Sequence, residues 1–320
     1  MKVAFKDDKG IYWKDVEVDE PSKEVSTYVD KAMYEAEPVE EQALERPRVH
    51  LLSATPDPLG AVAAFSMMYE GIVVRDLAEI TDEQRRHYFD ECFKTALQTP
   101  LEAIDFHFMV EGMTRATFDQ MRTQRTAVFA GESLRFAVKE EITNRPGPSI
   151  QQKRSRKVRW DLAIEHIHEQ YLALIADGVP AEDARGLLPM NVLTRAHWKT
   201  NLRNLVSEIG KRLCTQAQWE WRMLHADMRR AIREYGSPQR WPDNKHPGHF
   251  IEDPQGNDWQ FEYIADHEKL FVPICFQKGA CMFKASMDRG CTIRERVDNG
   301  QFDKIKPEEW LLDPTAAWVR

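Results

Sequence analysis

The chain has 320 residues, 42% hydrophobic and 30% charged, with a net charge of −8. That length can bury a core in one large domain or two modest ones, and the acidic balance excludes a surface that is basic throughout, and with it bulk affinity for nucleic acid. No stretch reaches the roughly 18 uncharged apolar residues of a membrane span, and the charged start MKVAFKDDKG lacks a signal peptide's apolar run, so a cytoplasmic protein is expected.

In chain order, residues 1–46 are acidic and weakly patterned and read as an N-terminal extension. One hairpin is expected there in VAFKDDKGIYWKDVEV, where Asp-Lys-Gly supplies turn chemistry between alternating segments. RVHLLSA, Arg48 to Ala54, predicts a strand, and PLGAVAAFSMMYEG a short helix closed by Gly71. TDEQRRHYFDECFKTAL opens on a capping box, Thr81 and Gln84, and carries Tyr88, Phe89, Cys92, Phe93, Ala96 and Leu97 at helical spacing. AIDFHFMVEG alternates as a strand, and RATFDQMRTQR predicts a helix that delivers the chain into QRTAVFAGESLRF, Gln124 to Phe136. RPGPS, Arg145 to Ser149, interrupts regular structure, after which WDLAIEHIHEQYLALIADG predicts a long helix stopped at Gly178. His166 and His168 lie on different faces of it, so they do not share a metal. Tyr235 to Asn257 reads as a loop or linker, and the remainder as a packed C-terminal extension.

The five cysteines are odd in number and include no CxxC pair, so no disulfide framework is outlined. A zinc site from Cys275, Cys281, Cys291 and His267 fits no common spacing, and no metal is expected. QQKRSRKVRW clusters Lys153, Arg154, Arg156, Lys157 and Arg159 beside Trp160. Such a run is more often a solvated loop, or an entrance attracting anionic cofactors, than a polymer-binding surface.

The informative segment is Asp183 to Arg222, DARGLLPMNVLTRAHWKTNLRNLVSEIGKRLCTQAQWEWR. Leu202, Leu205, Val206, Ile209, Leu213 and Ala217 recur at three- and four-residue intervals as one buried helical stripe. Asn201, Arg212, Gln216 and Trp219 fall along one margin of it, Arg203 and Ser207 along the other. At ~1.5 Å rise per residue, Asn201 and Arg212 stand roughly 16 Å apart, a span suited to a ligand longer than one ring. Arginines beside apolar stripes usually snorkel or pair with carboxylates. Arg185, preceding the apolar run GLLPM, is expected at a buried turn with no carboxylate further along that run. Several arginines near apolar surface fit a planar, doubly charged group such as phosphate.

RGLLPMNVLT, then NLRNL, then KRLCTQAQWEWR resembles the signature half of the flavin-dependent thymidylate synthases, whose pattern runs approximately RxxLPxxxxT, NxRxLxxFxxxR and AQxE. The stretch from Thr123 to Phe136 is then a degenerate copy of that family's RHRxxSxNExSxRY motif. The resemblance spans roughly residues 47–228, leaving 1–46 as an N-terminal extension and 229–320 as a C-terminal one packed on the core. It implies an α/β (α+β) fold, a mixed sheet with long helices, and a homotetramer with sites shared between subunits. It further implies FAD as cofactor, dUMP as substrate, methylenetetrahydrofolate as one-carbon donor and NADPH as reductant.

By the same resemblance Arg212 is the catalytic residue, lying against the uracil and favouring ionisation at N3. A guanidinium stabilises negative charge spread over N3 and the carbonyls, so C5 becomes more nucleophilic and no cysteine is required. Gln120, Ser133, Leu134, Arg135 and Arg185 complete the nucleotide site, with Ala130 and Gly131 small so that backbone approaches the phosphate. Gln124, Arg125, Asn201, Arg203, Ser207 and Gln216 match cofactor-binding positions. The departures lean one way. Thr123 and Gln124 open the RHR position, Ala130 and Gly131 replace its Asn-Glu pair with Glu132 one residue late, Phe136 replaces a tyrosine, Leu97 a histidine, and Ser207 and Gln216 an asparagine and a histidine. The nucleotide half is kept and the flavin half rewritten. C5 methylation of dUMP is therefore the leading expectation. The alternatives are a related transfer, such as hydroxymethylation of dUMP or dCMP, and from other classes a nucleic-acid-binding protein or an inactive scaffold.

Overall fold

The computed structural model describes residues 2–7, 10–15, 46–235, 258–283 and 291–311. Strands β1 (Lys2–Asp7) and β2 (Gly10–Asp15) pair antiparallel, with Lys2 opposite Asp15 and Asp7 opposite Gly10, as the alternation predicts. The turn residues between them, and the linker read from residue 236 to 257, lie outside the described residues.

The main sheet has the order β3 (Arg48–Ala54), β4 (Asp105–Thr114), β6 (Leu193–Asn201), β5 (Val128–Gly131). Every described ladder in it is antiparallel, which corrects the expectation of a mixed sheet. The reason lies in how the chain returns. Thr114, where β4 ends, is opposite Leu193, where β6 begins, so the long intervening segment leaves and re-enters at one end and no crossover is needed.

Local chemistry sets most helix ends. In α1 (Pro58–Tyr69), Pro58 occupies the first turn and Asp57 accepts from the Gly60 N–H, while Gly71 takes φ +77° just past the end. In α2 (Asp82–Lys94) the Thr81 and Gln84 capping box forms, but the helix stops at Lys94. Leu97, read as part of the apolar face, is half exposed beyond it. Thr95 is already extended, and the chain turns into a short 3-10 helix, Thr99–Ala103, with Pro100 in its first turn. Helix α3 (Arg115–Met121) is shorter than the motif predicted; α4 (Pro148–Gln151) starts on the proline of RPGPS. Helix α5 (Arg154–Ala176) begins six residues before the predicted Trp160, so the basic run forms its first turns rather than a loop. A single turn, α6 (Ala181–Ala184), leads into Arg185.

The predicted long stripe is divided between α7 (Leu202–Arg212) and α8 (Trp219–Arg233). Leu202, Leu205, Val206, Ile209 and Leu213 are buried as expected, but the chain turns after Leu213, so Gln216 and Trp219 do not continue the margin that carries Arg212. Periodicity misses the break because both helices are amphipathic. The turn redirects α8 across the sheet, where Trp221 meets Trp198 edge-on at 6.3 Å and Asp227 accepts from the Val49 N–H at 2.6 Å.

One sheet face is apolar, with Val49, Leu51, Phe106, Phe108, Val110 and Trp198 buried against α7 and α8. C-terminal residues join the same cluster through α9 (Trp259–Asp266), α10 (Ile274–Lys278), α11 (Arg294–Asp298) and α12 (Glu308–Leu311). Gln260 ties α9 to the start of α1, accepting from the Leu59 N–H at 2.7 Å and donating to Asp57 Oδ1 at 2.8 Å. Burial alone would raise the Asp57 carboxyl, yet the donors Arg85, Gln260 and the Gly60 N–H hold it below its ordinary value.

Candidate functional site

The first cluster is built by the end of β4 and the segment after it. A bulge at Gly112, φ +66°, shifts the register before Met113 and Thr114 resume pairing with β6, and Thr114 caps α3 by accepting from the Thr117 N–H. Edge strand β5 then pairs with β6, so Ala130 and Gly131 sit in a strand and not in a phosphate loop. A Cβ at Gly131 would stand 2.2 Å from the Phe118 ring, so the small residue accommodates that ring, which corrects the phosphate-approach reading. Glu132 is taken up by Lys139 Nζ at 2.8 Å.

Beyond β5, Leu134 is buried and lines a depression of about 260 Å³ together with Arg115, Asp119, Glu182, Arg185 and Met190. Arg135 Nε donates to Glu182 Oε2 at 2.8 Å, and Arg185 Nε donates to the Glu182 carbonyl at 3.1 Å. Arg135 and Arg185 thus meet at one residue. The Ser133 hydroxyl accepts from the Arg135 backbone N–H at 3.4 Å. The Arg185 turn is not the buried one expected, since Leu187 and Met190 of GLLPM are exposed. The Arg135 and Glu182 side chains are each about half exposed, so their pairing is worth only ~0–1 kcal/mol and a dianionic group can displace the carboxylate.

Nearby in sequence, Gln120 Oε1 and Gln124 Oε1 are buried with no hydrogen-bond partner, while Arg125 is exposed. Buried amide oxygens are normally satisfied, so two orphans on the segment that carries the motif mark it as a place where a ligand can donate. The remaining cofactor positions surround α7. Asn201 caps it by accepting from the Asn204 N–H at 3.0 Å, which leaves its amide N–H groups to donate outward. Arg203 pairs with Glu102, Ser207 is exposed, and Gln216 lies half-buried in the turn before α8.

Arg212 ends α7 and does not line the depression. Its Nε donates to Glu208 Oε1 at 2.6 Å, one turn back, and its guanidinium sits 4.8 Å from the centre of a Trp221 ring. Beneath it His225 is fully buried, with Nδ1 2.9 Å from the Trp221 carbonyl and Nε2 unpartnered. Burial pushes His225 down to about 4, Arg212 adding to the effect while the Trp221 carbonyl and Glu208 oppose it. Glu208 was legible as the residue four before Arg212. The approach of Glu182 to Arg135, and of Trp221 and His225 to Arg212, was not, because tertiary packing alone sets it.

Other features fit a nucleotide less well. A depression of about 620 Å³ carries Asp90, Glu262, Asp266 and Glu268 against two lysines, a balance that repels phosphate. In the basic run Lys157 pairs with Asp161 at 2.6 Å and Arg156 donates to the Ser149 carbonyl. His267 packs on Phe89 and Phe93. Among the described residues no helix is long and apolar enough to cross a membrane.

A family model described as thymidylate synthase complementing protein matches residues 50–235. The chain is 33% identical over 196 residues to a flavin-dependent thymidylate synthase of Geobacter sulfurreducens, an alignment covering 58% of this chain and 82% of the relative. It is 30% identical over 203 residues to a protein of the same name from Nitratidesulfovibrio vulgaris, covering 59% and 83%. A third, from Pyrococcus abyssi, is 27% identical over 260 residues, covering 78% of this chain and 95% of the relative.

Proposed function

The chain belongs to the flavin-dependent thymidylate synthase family, and from that premise we propose that it methylates C5 of dUMP to give dTMP, with methylenetetrahydrofolate as carbon donor and NADPH as reductant. As an enzyme it is a one-carbon transferase. The observation that carries the substrate reading is the meeting of Arg135 and Arg185 at Glu182, beside Ser133 and above buried Leu134, from segments 47 residues apart.

In this reading the phosphate displaces the Glu182 carboxylate and takes up Arg135, Arg185 and the Ser133 hydroxyl. Gln120 uses its orphaned oxygen to accept from the nucleotide. Arg212, held in place by Glu208 and the Trp221 face, stabilises the negative charge that builds on N3 and its flanking carbonyls as C5 attacks. No thiol nucleophile is needed, and Cys92 is unsuited to be one, buried with its thiol pushed up to about 11.

FAD fits the donor set. Gln124 offers an unpartnered buried acceptor, Arg125 and Arg203 offer guanidinium groups for a pyrophosphate, and Asn201, Ser207 and Gln216 supply further polar contacts. When bound, the flavin supplies the reducing equivalents that convert a transferred methylene to methyl.

Because Arg212 does not line the depression that Leu134, Glu182 and Arg185 line, the site is completed between subunits of a homotetramer. Helix α1 supports assembly: Phe65, Met68 and Tyr69 are each more than half exposed although its other face is buried, and such a helix calls for cover on both sides. Residues 47–228 form the catalytic core in this scheme, with 1–46 and 229–320 as extensions.

The test is product analysis. Purified protein with bound flavin, supplied with dUMP, the folate donor and NADPH, should yield dTMP identified by mass spectrometry. A hydroxymethyl product, or turnover of dCMP in place of dUMP, would replace methylation with the related transfer. No new C5 substituent under any pairing would sink the enzymatic reading.

A further inference from the structure

Four of the five cysteines line one small cavity. Cys214 comes from the turn between α7 and α8, Cys275 from α10, Cys281 from the segment after it, and Cys291 from the approach to α11. All four are reduced. The walls between them are mostly apolar, with Ile274, Met282, Ile293 and Val297. The sulfurs have polar neighbours nonetheless: Thr215 Oγ1 donates to Cys291 Sγ at 3.1 Å and Arg294 Nη1 donates to Cys281 Sγ at 3.2 Å. Arg222 acts on Cys214 from nearby and favours its thiolate, against the stronger effect of burial.

Chance does not readily gather four thiols from separate segments around one space, and buried thiols used only as small apolar residues need not face each other. The sequence reading set aside a site of Cys275, Cys281 and Cys291 with His267 because its spacing fits no common template; the fold sends His267 to the Phe89 and Phe93 rings and brings Cys214 to the three cysteines instead. Four sulfur donors are the set that tetrahedral zinc takes. The cavity measures about 20 Å³, room for a single ion.

We propose that Cys214, Cys275, Cys281 and Cys291 form a structural site for one zinc ion, which pins the C-terminal segments to the turn two residues beyond Arg212. Among the described residues no group of three or more His, Cys, Asp or Glu side chains stands at a geometry that could hold a metal ion, so the four thiols have to close inward on the ion they bind. Zinc takes cysteine as the thiolate, so each neutral thiol must give up its proton to bind it. Binding is therefore coupled to deprotonation. One Zn²⁺ and four thiols give a tetrathiolate centre of net charge −2 and four protons released to solvent, with no change of oxidation state. Arg294 and Arg222 offset the resulting negative charge.

The test uses the full-length protein purified without chelator. The expected result is one zinc per chain by elemental analysis, and, on replacement by Co²⁺, the intense thiolate-to-cobalt charge-transfer absorption of a tetrahedral sulfur site. Cys275→Ser and Cys281→Ser should each lose the metal, while Cys92→Ala retains it. Should those serine variants fail to fold, the wild type still decides: zinc should protect these four cysteines, mapped by peptide mass spectrometry, from alkylation, and a chelator should expose them. Overturning results are a metal-free protein without charge-transfer bands on cobalt titration, metal retained in both serine variants, alkylation indifferent to the chelator, a disulfide among the four, or acid-labile sulfide.

Discussion

Arg212 rests its guanidinium against Trp221 and binds a carboxylate one turn back, so its position is fixed before any nucleotide arrives. Loss of one preorganised charge of this kind costs about 10²–10³ in turnover. Arg212→Gln should therefore cut dTMP formation by about that factor, while dUMP affinity, measured by equilibrium dialysis, falls far less because Arg135 and Arg185 still hold the phosphate. Equal losses in both would assign Arg212 to binding alone. His225 gives a second prediction at this scale. Its folded value of about 4 lies below the ordinary 6.5, so the unfolded chain takes up the proton first as pH falls. Stability contributed by neutral His225 is complete above pH 6.5 and is lost as pH drops toward 4, by ~3 kcal/mol in all. Denaturant midpoints between pH 7 and 4 should show this slope, and His225→Phe, which can pack between Trp198 and Trp221, should flatten it.

Among elements, the junction of β4, α3, α8 and the segment before α4 depends on one buried carboxylate. Glu220 accepts from the Thr114 N–H at 2.8 Å, from the hydroxyls of Thr114 and Thr117, and from Arg145 Nη1. Glu220 is fully buried and Arg145 nearly so, so removing the cation strands a charge in a site without water. Arg145→Met should destabilise the fold by ~3–5 kcal/mol in urea titrations. Pairing it with Glu220→Gln should recover part of that loss, and an unchanged midpoint in the single variant would refute the coupling. The same junction shows what the sequence hid. Strand β6 buries Thr194, Ala196, Trp198 and Thr200, two of them threonines and one an alanine, so its alternation is faint to a hydropathy reading although its burial is regular. Strand β5 has four residues and no fully buried one, and only pairing with β6 makes it a strand.

For the molecule as a whole, residues beyond 258 are part of the core. Phe261, Ile264, Leu270, Phe271, Val297 and Trp310 belong to the same buried cluster as Phe106 and Trp198. Ending the chain after Tyr235 should expose that surface and give an insoluble or dye-binding, non-cooperative product, whereas deleting residues 1–45 should leave cooperative melting intact. A truncated chain that melted cooperatively would show that the C-terminal segments merely decorate the core.

The sequence by itself determined the local and the chemical: the capping box of α2, strand β3 to the residue, the buried stripe of α7, and the arginine-bearing motifs that announce the family. These depend on neighbours within a few positions, where periodicity and hydrogen-bonding chemistry act directly. Only tertiary structure decided that Gly131 yields to the Phe118 ring, that the Arg135 guanidinium reaches Glu182, and that Cys214 joins three distant thiols. Each of those is a meeting of residues far apart in the chain, set by how the sheet and its helices bury their apolar faces, and no local pattern encodes it.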